Sequence, residues 1–365
     1  MGQHNYETDK TKSVKTNLKT IYNIATNPCG IGGTETFSRI LNKYYSNSKT
    51  YCFNTVSKKY YKAPYVLIKK KWFTKITPKF LRFLFSRVNF YDFPNISNSI
   101  IIFNAPVDLE RISIPILKNN KLIYFAHNTP NHIWEHKNYF GRNRGERLKR
   151  LQYVDKIISL TPNYIPKFSK LFNISKERFL SVTHTVEITA VRDCKLFQKK
   201  IITICRIDNK QKRLDRFVEV AKNLPEYTFE IYGLGRDEGF LKELIKGIGN
   251  VSYKGVTNEL VNVHKDAGIF LMTSDFEGFG ITLIEALSQA TPVIIAPNSF
   301  DMANVIIEDG VNGYVCEKFD VNELIEKIHI IEKNYTLFSE NTLKSFKRYD
   351  STSFIRQWDK IFEEL

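Results

Sequence analysis

The chain has 365 residues, more than one hydrophobic core normally serves, so two domains are expected. Apolar residues make up 42% and charged residues 25%, an ordinary composition for a soluble globular protein, and no run approaches the roughly 18 apolar residues that span a bilayer. The charge balance is less ordinary: 54 Lys and Arg against 38 Asp and Glu leave +16, a field that favours phosphates, nucleic acid or an anionic membrane surface and says nothing about fold.

Five cysteines, Cys29, Cys52, Cys194, Cys205 and Cys316, are scattered without a CxxC or Cys/His cluster. Their odd number and spacing suit reduced thiols in a cytosol rather than a disulfide framework or a zinc site. Residues 1–19 are polar and charged with no apolar centre, so the expectation is a frayed or disordered extension, neither signal peptide nor anchor.

A first strand is expected over residues 20–25, followed by the loop Asn27-Pro-Cys-Gly-Ile-Gly-Gly33 and a helical pattern through Phe37, Ile40, Leu41 and Tyr44. A glycine-rich turn between strand and helix points backbone N–H groups and a helix N-terminus at whatever lies above the sheet, commonly a phosphate. A dinucleotide site would place an acid about 20 positions on to hold the ribose. From Thr36 to Tyr91 there is no Asp or Glu, which argues against a nicotinamide cofactor. Within that interval, from Lys58 to Arg87, ten Lys or Arg residues interleave with eight aromatics. This composition suits an interfacial segment on anionic lipid, a single-strand nucleic-acid platform, or a solvated basic face over core aromatics.

Residues 99–103 and 121–126 read as buried parallel strands, the second ending at His127. A histidine at the carboxyl end of a strand is placed to meet ligand, although a lone one is more often a structural hydrogen-bonder. The stretch from Trp134 to Arg150 is basic and aromatic, suited to covering a cleft or meeting an acceptor, and residues 156–160 form another strand. Around residues 193–200 the pattern turns polar and β/α alternation restarts, which places the linker there.

The second half alternates regularly: strand 201–205, helix 214–224, strand 227–232, helix 238–245, strand 251–254 and helix 258–266. Arg206 and Lys212, after its first strand, are placed to reach one point above the sheet and supply positive charge for a diphosphate; a solvated basic loop gives the same pattern. Tyr232-Gly-Leu-Gly235 offers another glycine turn. Strand 268–273 then leads through Ser274-Asp-Phe-Glu-Gly-Phe-Gly280 into a helix ending near Ala290, and strand 291–296 follows, a βαβ unit whose loop faces the ligand crevice. At about 100° per residue Ile281, Leu283, Ile284 and Leu287 share one arc, and Glu285 falls at its edge. A carboxylate there is partly buried and needs a partner, whether a structural ion pair or a ligand. Residues 321–332 suggest a surface helix; Phe354, Trp358, Ile361 and Phe362 give a terminal helix with a heavy apolar face.

Assembled, these features resemble the retaining glycosyltransferases of family four over most of the chain, most strongly from Ile201 to Val315. Glu277 and Glu285 reproduce the family's two glutamates separated by seven residues, in the context Glu-Gly-Phe-Gly. Arg206 and Lys212 look like its phosphate-binding pair, Gly32-Gly33-Thr34-Glu35 resembles its N-terminal glycine loop, and His127 stands where it often has a histidine. In the family a glycine often follows the phosphate lysine; here Arg213 does, and the Arg-to-Lys step is one residue longer.

The resemblance implies the B-type (GT-B) fold: α/β, two Rossmann-like domains facing across a cleft. Residues 20–193 would form the acceptor-binding domain, residues 194–349 the nucleotide-sugar-binding domain, and residues 350–365 a helix docking back on the first. It further implies an enzyme, a hexosyltransferase or N-acetylhexosaminyltransferase. Such an enzyme moves a sugar from a nucleotide-sugar donor, UDP-linked foremost, to a hydroxyl of a surface glycan or lipid-linked saccharide. The implied catalytic set is Glu277, His127, Arg206 and Lys212. Donor contacts would come from Gly32, Gly33, Arg206, Lys212, Val256, Glu277, Phe279, Gly280, Ile281 and Glu285, with Glu285 at the ribose, Glu277 at the sugar and Val256 by the base. No cofactor, metal or nucleic acid is implied, because Arg and Lys replace a cation at the diphosphate. The expected location is the cytoplasm, at the inner membrane face through the basic segment. The alternative is a catalytically inactive glycosyltransferase-like binding subunit.

Overall fold

The computed structural model describes residues 19–25, 27, 29–30, 32–53, 63–70, 91–135, 144–191, 193–257, 259–298 and 301–365. Most of the interval 58–87, and residues 136–143 of the second basic stretch, lie outside the described residues. The first sheet comprises β1 (Ile21–Ile24), β2 (Ser48–Cys52), β3 (Val66–Leu67), β4 (Ile100–Phe103), β5 (Lys121–Ala126), β6 (Lys156–Ser159) and β7 (Phe179–Ser181), in the order β3-β2-β1-β4-β5-β6-β7. In the second, β8 (Lys200–Ile204), β9 (Thr228–Tyr232), β10 (Val251–Gly255), β11 (Ile269–Met272), β12 (Val293–Ile295) and β13 (Gly313–Val315) stand in the order β10-β9-β8-β11-β12-β13, every neighbouring pair parallel. Every residue of β4, β11 and β12 is buried; a strand covered on both faces has no polar side, so its sequence loses the alternation of a half-exposed strand.

Contacts divide the chain into two compact units, the first Met1–Phe125, Lys137–Ile157 and Ile361–Leu365, the second Ala126–His136 and Ile158–Lys360. In the first unit, β1 pairs in parallel with both β2 and β4, and Asn104, just past β4, ties two of these strands by donating to Asn23 Oδ1 at 2.8 Å and the Ile24 carbonyl at 2.7 Å. The helix Arg144–Leu151 turns two of its cations inward. Arg147 Nε meets Glu110 Oε1 at 2.6 Å, and Arg150 Nη1 donates to the carbonyls of Leu109 and Ile112, both at 2.8 Å. These two arginines of the basic stretch are therefore engaged in holding the unit together.

In the second unit the core gathers Phe217, Tyr227, Phe229, Leu241 and Leu271 with Leu324, Ile328 and Ile331 of the helix Val321–Lys333, so the helix expected at the surface buries one full face. The terminal helix Ser351–Glu363 buries Phe354 and Trp358, and Gln357 Oε1 accepts from the Thr183 backbone N–H at 3.3 Å. Its last turn belongs to the first unit, where Phe362 meets the Tyr45 ring edge-on at 5.2 Å and Glu364 pairs with Lys156 at 3.2 Å. Among the described residues no helix is long and apolar enough to cross a membrane.

Candidate active site

The second sheet reverses its strand order between β8 and β11, and an open parallel sheet binds ligand beyond the carboxyl ends of its strands at such a point. β8 runs through Cys205 to Arg206 and the short helix Asn209–Lys212; β11 runs into the loop that carries Glu277. Hydrogen bonds lace the two segments together. Thr273 Oγ1 donates to the carbonyls of Lys212 (3.1 Å) and Arg213 (3.0 Å), the Asp275 N–H donates to the Gln211 carbonyl (2.8 Å), and Gln211 Nε2 donates to the Phe276 carbonyl (3.0 Å).

This lacing presents Lys212 to Glu277. The lysine Nζ pairs with Glu277 Oε1, which also accepts from Ser274 Oγ at 2.6 Å, and Glu277 is only 8% exposed. Arg206 is the opposite case, its side chain 63% exposed, but its guanidinium donates to Oε1 of the same Gln211 that holds the Phe276 carbonyl. Burial pushes the Cys205 thiol up to about 12, and Lys212, Glu277 and Arg206 all bear on it electrostatically, so the three charges gather at one strand end.

Arg213 occupies the left-handed region, φ 49° and ψ 50°, where a side chain crowds its own backbone and glycine is the residue of least cost. Its guanidinium is held by Asp215 at 3.0 and 2.7 Å and by Asp275 at 3.3 Å, while Arg216 meets Asp275 at 2.5 Å. Asp275 thereby joins the lysine segment to the glutamate loop a second time.

The loop then approaches the segment that follows β5. A Cβ on Gly278 would stand 3.0 Å from the His127 carbonyl oxygen and 2.9 Å from Asn128 Oδ1, so any larger residue there must push these neighbours aside. His127 is buried, its Nδ1 3.4 Å from His184 Nε2 with the rings stacked at 5.3 Å, and His184 meets Phe279 edge-on at 5.0 Å. Burial, then the neighbouring His184, holds His127 well below the ordinary histidine value; burial takes His184 down to about 3. Both rings are neutral at pH 7. Gly280, φ 80°, precedes the helix Ile281–Ser288, whose first-turn N–H groups and dipole favour negative charge near Phe279, Gly280 and Ile281. Glu285 is half-buried beside buried Leu283, Ile284 and Leu287, the position its period assigns.

The structure thus brings Lys212, Glu277 and Arg206 together and packs Gly278 on His127. Val256, 38% exposed, follows Gly255 at the end of β10, on a separate element of the same unit. Gly32 and Gly33 lie in the first unit, where Gly32 precedes the helix Gly33–Tyr44 with φ 153° and ψ 172°, a region open only to glycine. Burial raises the carboxyl of Glu35 in that helix. Gln211, Ser274, Asp275 and His184 were not legible in the sequence. Their contacts reach from 3 positions (Ser274 to Glu277) to 95 (His184 to Phe279) along the chain, and none belongs to a spaced motif.

Two parallel α/β sheets, the second with charged loops at its strand-order reversal, are the architecture of the B-type glycosyltransferase fold, and the chain has that fold. Residues 192–350 match the family model "Glycosyl transferases group 1". Among solved structures, HepE of Anabaena in complex with UDP and glucose aligns with a TM-score of 0.71 at 15% identity, over 95% of this chain and 100% of that one. A point mutant of TarM from Staphylococcus aureus, in complex with Fondaparinux, alpha-GlcNAc-glycerol and UDP, aligns with a TM-score of 0.61 at 22% identity, over 72% and 55%. These likenesses speak for the fold. The poly(glycerol-phosphate) alpha-glucosyltransferase of Bacillus subtilis is 27% identical over 242 residues, 61% of this chain and 36% of its own length. The GtfA subunit of the UDP-N-acetylglucosamine–peptide N-acetylglucosaminyltransferase of Streptococcus pneumoniae is 32% identical over 185 residues, 45% of this chain and 35% of its own. The chain therefore spans about a third of the length of these two relatives.

Proposed function

We propose that the chain is a retaining glycosyltransferase that takes a sugar from a UDP-linked donor to a hydroxyl of a surface glycan or lipid-linked saccharide. The observation that carries this reading is the Lys212–Glu277 pair, held at a strand-order reversal with Arg206 tethered to the same loop. A diphosphate leaving group gathers negative charge as the glycosidic bond breaks, and preorganised cations aimed at that charge are the largest electrostatic aid an enzyme offers. Arg206 and Lys212 supply them without a metal. Glu277 contacts the donor ring near its anomeric carbon, Glu285 accepts from the ribose hydroxyls, and His127, neutral and buried, presents a hydrogen-bonding edge to sugar. The relatives that act on poly(glycerol-phosphate) and on peptide from UDP-N-acetylglucosamine support the reaction class.

A donor-hydrolysis screen across nucleotide sugars, read by released nucleotide, tests it. Wild-type protein should release UDP, and Glu277→Ala and Arg206→Ala should each lower kcat about 100- to 1,000-fold. Variants as active as wild type would refute the site. Absence of both turnover and UDP-induced thermal stabilisation would instead mark an inactive binding subunit.

A further inference from the structure

Beside Glu277, within the second unit, a pocket of about 410 Å³ is lined by residues that follow β5 and β6 together with Phe276, Glu277 and Asp301. Its size suits a small ligand. Its chemistry runs against the chain as a whole. The molecule carries +16, yet among the described residues the one Lys or Arg lining the pocket is Lys167, against the carboxylates of Glu135, Glu277 and Asp301, and Glu277 is already paired with Lys212. Tyr164 adds an independent sign of a ligand. It is 2% exposed, lines the pocket, and its hydroxyl has no hydrogen-bond partner among the described residues. Burial and then Asp301 raise that phenol, so the carboxylate lies close enough to act on it. One wall is apolar: the Phe276 ring, 44% exposed, lies 6.1 Å from the His132 ring with 29° between their planes.

We propose that this pocket receives the acceptor as an uncharged sugar or polyol, its carbon face on Phe276 and His132 and its hydroxyls shared between Tyr164 and Asp301. The argument is one of donors and acceptors. A phenol has a proton to give and a carboxylate only lone pairs, so a partner must accept from one and donate to the other. A hydroxyl does both. A phosphate dianion only accepts, and it would meet Glu135 and Asp301 as like charges, the kind of clash by which sites exclude a wrong ligand. Tyr164 and Asp301 thereby become specificity residues, and a hydroxyl they hold is delivered next to Glu277.

This inference rests on the glycosyl-transfer reading, and the test separates the two. Thermal stabilisation by UDP reports the donor site alone. In the presence of UDP, saturation-transfer NMR at fixed ionic strength compares methyl α-glucopyranoside and methyl N-acetyl-α-glucosaminide with sn-glycerol 3-phosphate and ribitol 5-phosphate. The uncharged glycosides should bind at least tenfold more tightly than the polyol phosphates. Tyr164→Phe should weaken glycoside binding at least fivefold, and Asp301→Lys should reverse the order of the two classes. Tighter binding of polyol phosphates, no binding of either glycoside, or glycoside affinities within twofold of wild type in both variants would overturn the proposal. Loss of the UDP shift alone would overturn the donor reading.

Discussion

At the scale of single residues, the site is held by side chains and backbone atoms that do no chemistry. Gln211 touches Arg206 with one end and the Phe276 carbonyl with the other, so the tip of one loop and the base of another share a single amide. Gly278 shows how narrow the tolerance is. Adding one methyl there presses on the His127 carbonyl, which is backbone and moves only with its own chain segment. Gly278→Ala should therefore cost activity more than stability: a melting temperature within a few degrees of wild type, and UDP release slowed at least about tenfold, since small misplacements of reacting groups are expensive. The two glutamates were legible because their spacing and context are specific. The partners of Glu277 were not: Ser274 stands three positions away in a loop with no spacing signal, and Lys212 becomes a partner only once β8 and β11 lie side by side.

Between strands and helices, legibility followed apolarity. β4, β11 and β12 stand out as unbroken apolar runs, whereas β2, reading Ser-Lys-Thr-Tyr-Cys, hides in a polar sequence although its last three residues are buried. The helix Tyr335–Phe346 was likewise unread: it buries Ser339 and Thr342, polar residues that satisfy themselves on the Ala290 and Ser339 carbonyls and so blur the apolar stripe. The segment after β5 and the one after β7 meet through His127 and His184, and the burial of these two rings sets an acid limit. Both rings stay neutral in the folded chain well below the pH at which an unfolded histidine, near 6.5, takes up its proton. The unfolded state therefore binds more protons as the pH falls, and the stability contributed above about pH 6.5 is progressively lost below it. Melting temperature should drop between pH 7 and pH 5, and His184→Gln, which removes one titrating ring and keeps hydrogen-bonding capacity, should make that drop shallower. An equal or steeper drop in the variant would show that the pair is not its source.

For the molecule as a whole, the surplus of basic residues calls for a partner outside the site. Residues 58–87 carry ten of them among aromatics, the composition of an interfacial segment on anionic lipid, and vesicle binding tests that reading. Binding to vesicles containing anionic lipid should weaken with salt and be abolished by Lys69→Glu, Lys70→Glu and Lys71→Glu together; cosedimentation unchanged in the triple variant would exclude it. Such a charge also draws small anions to any bare cation, and here the Lys212–Glu277 pair takes on a further meaning. The lysine already holds a resident anion, so whatever enters must displace part of that claim. Chloride offers no more charge than the carboxylate does, while a diphosphate offers more and spreads it over several oxygens. An entering anion must therefore compete with a carboxylate for the lysine, and on charge alone a polyanion competes better than chloride.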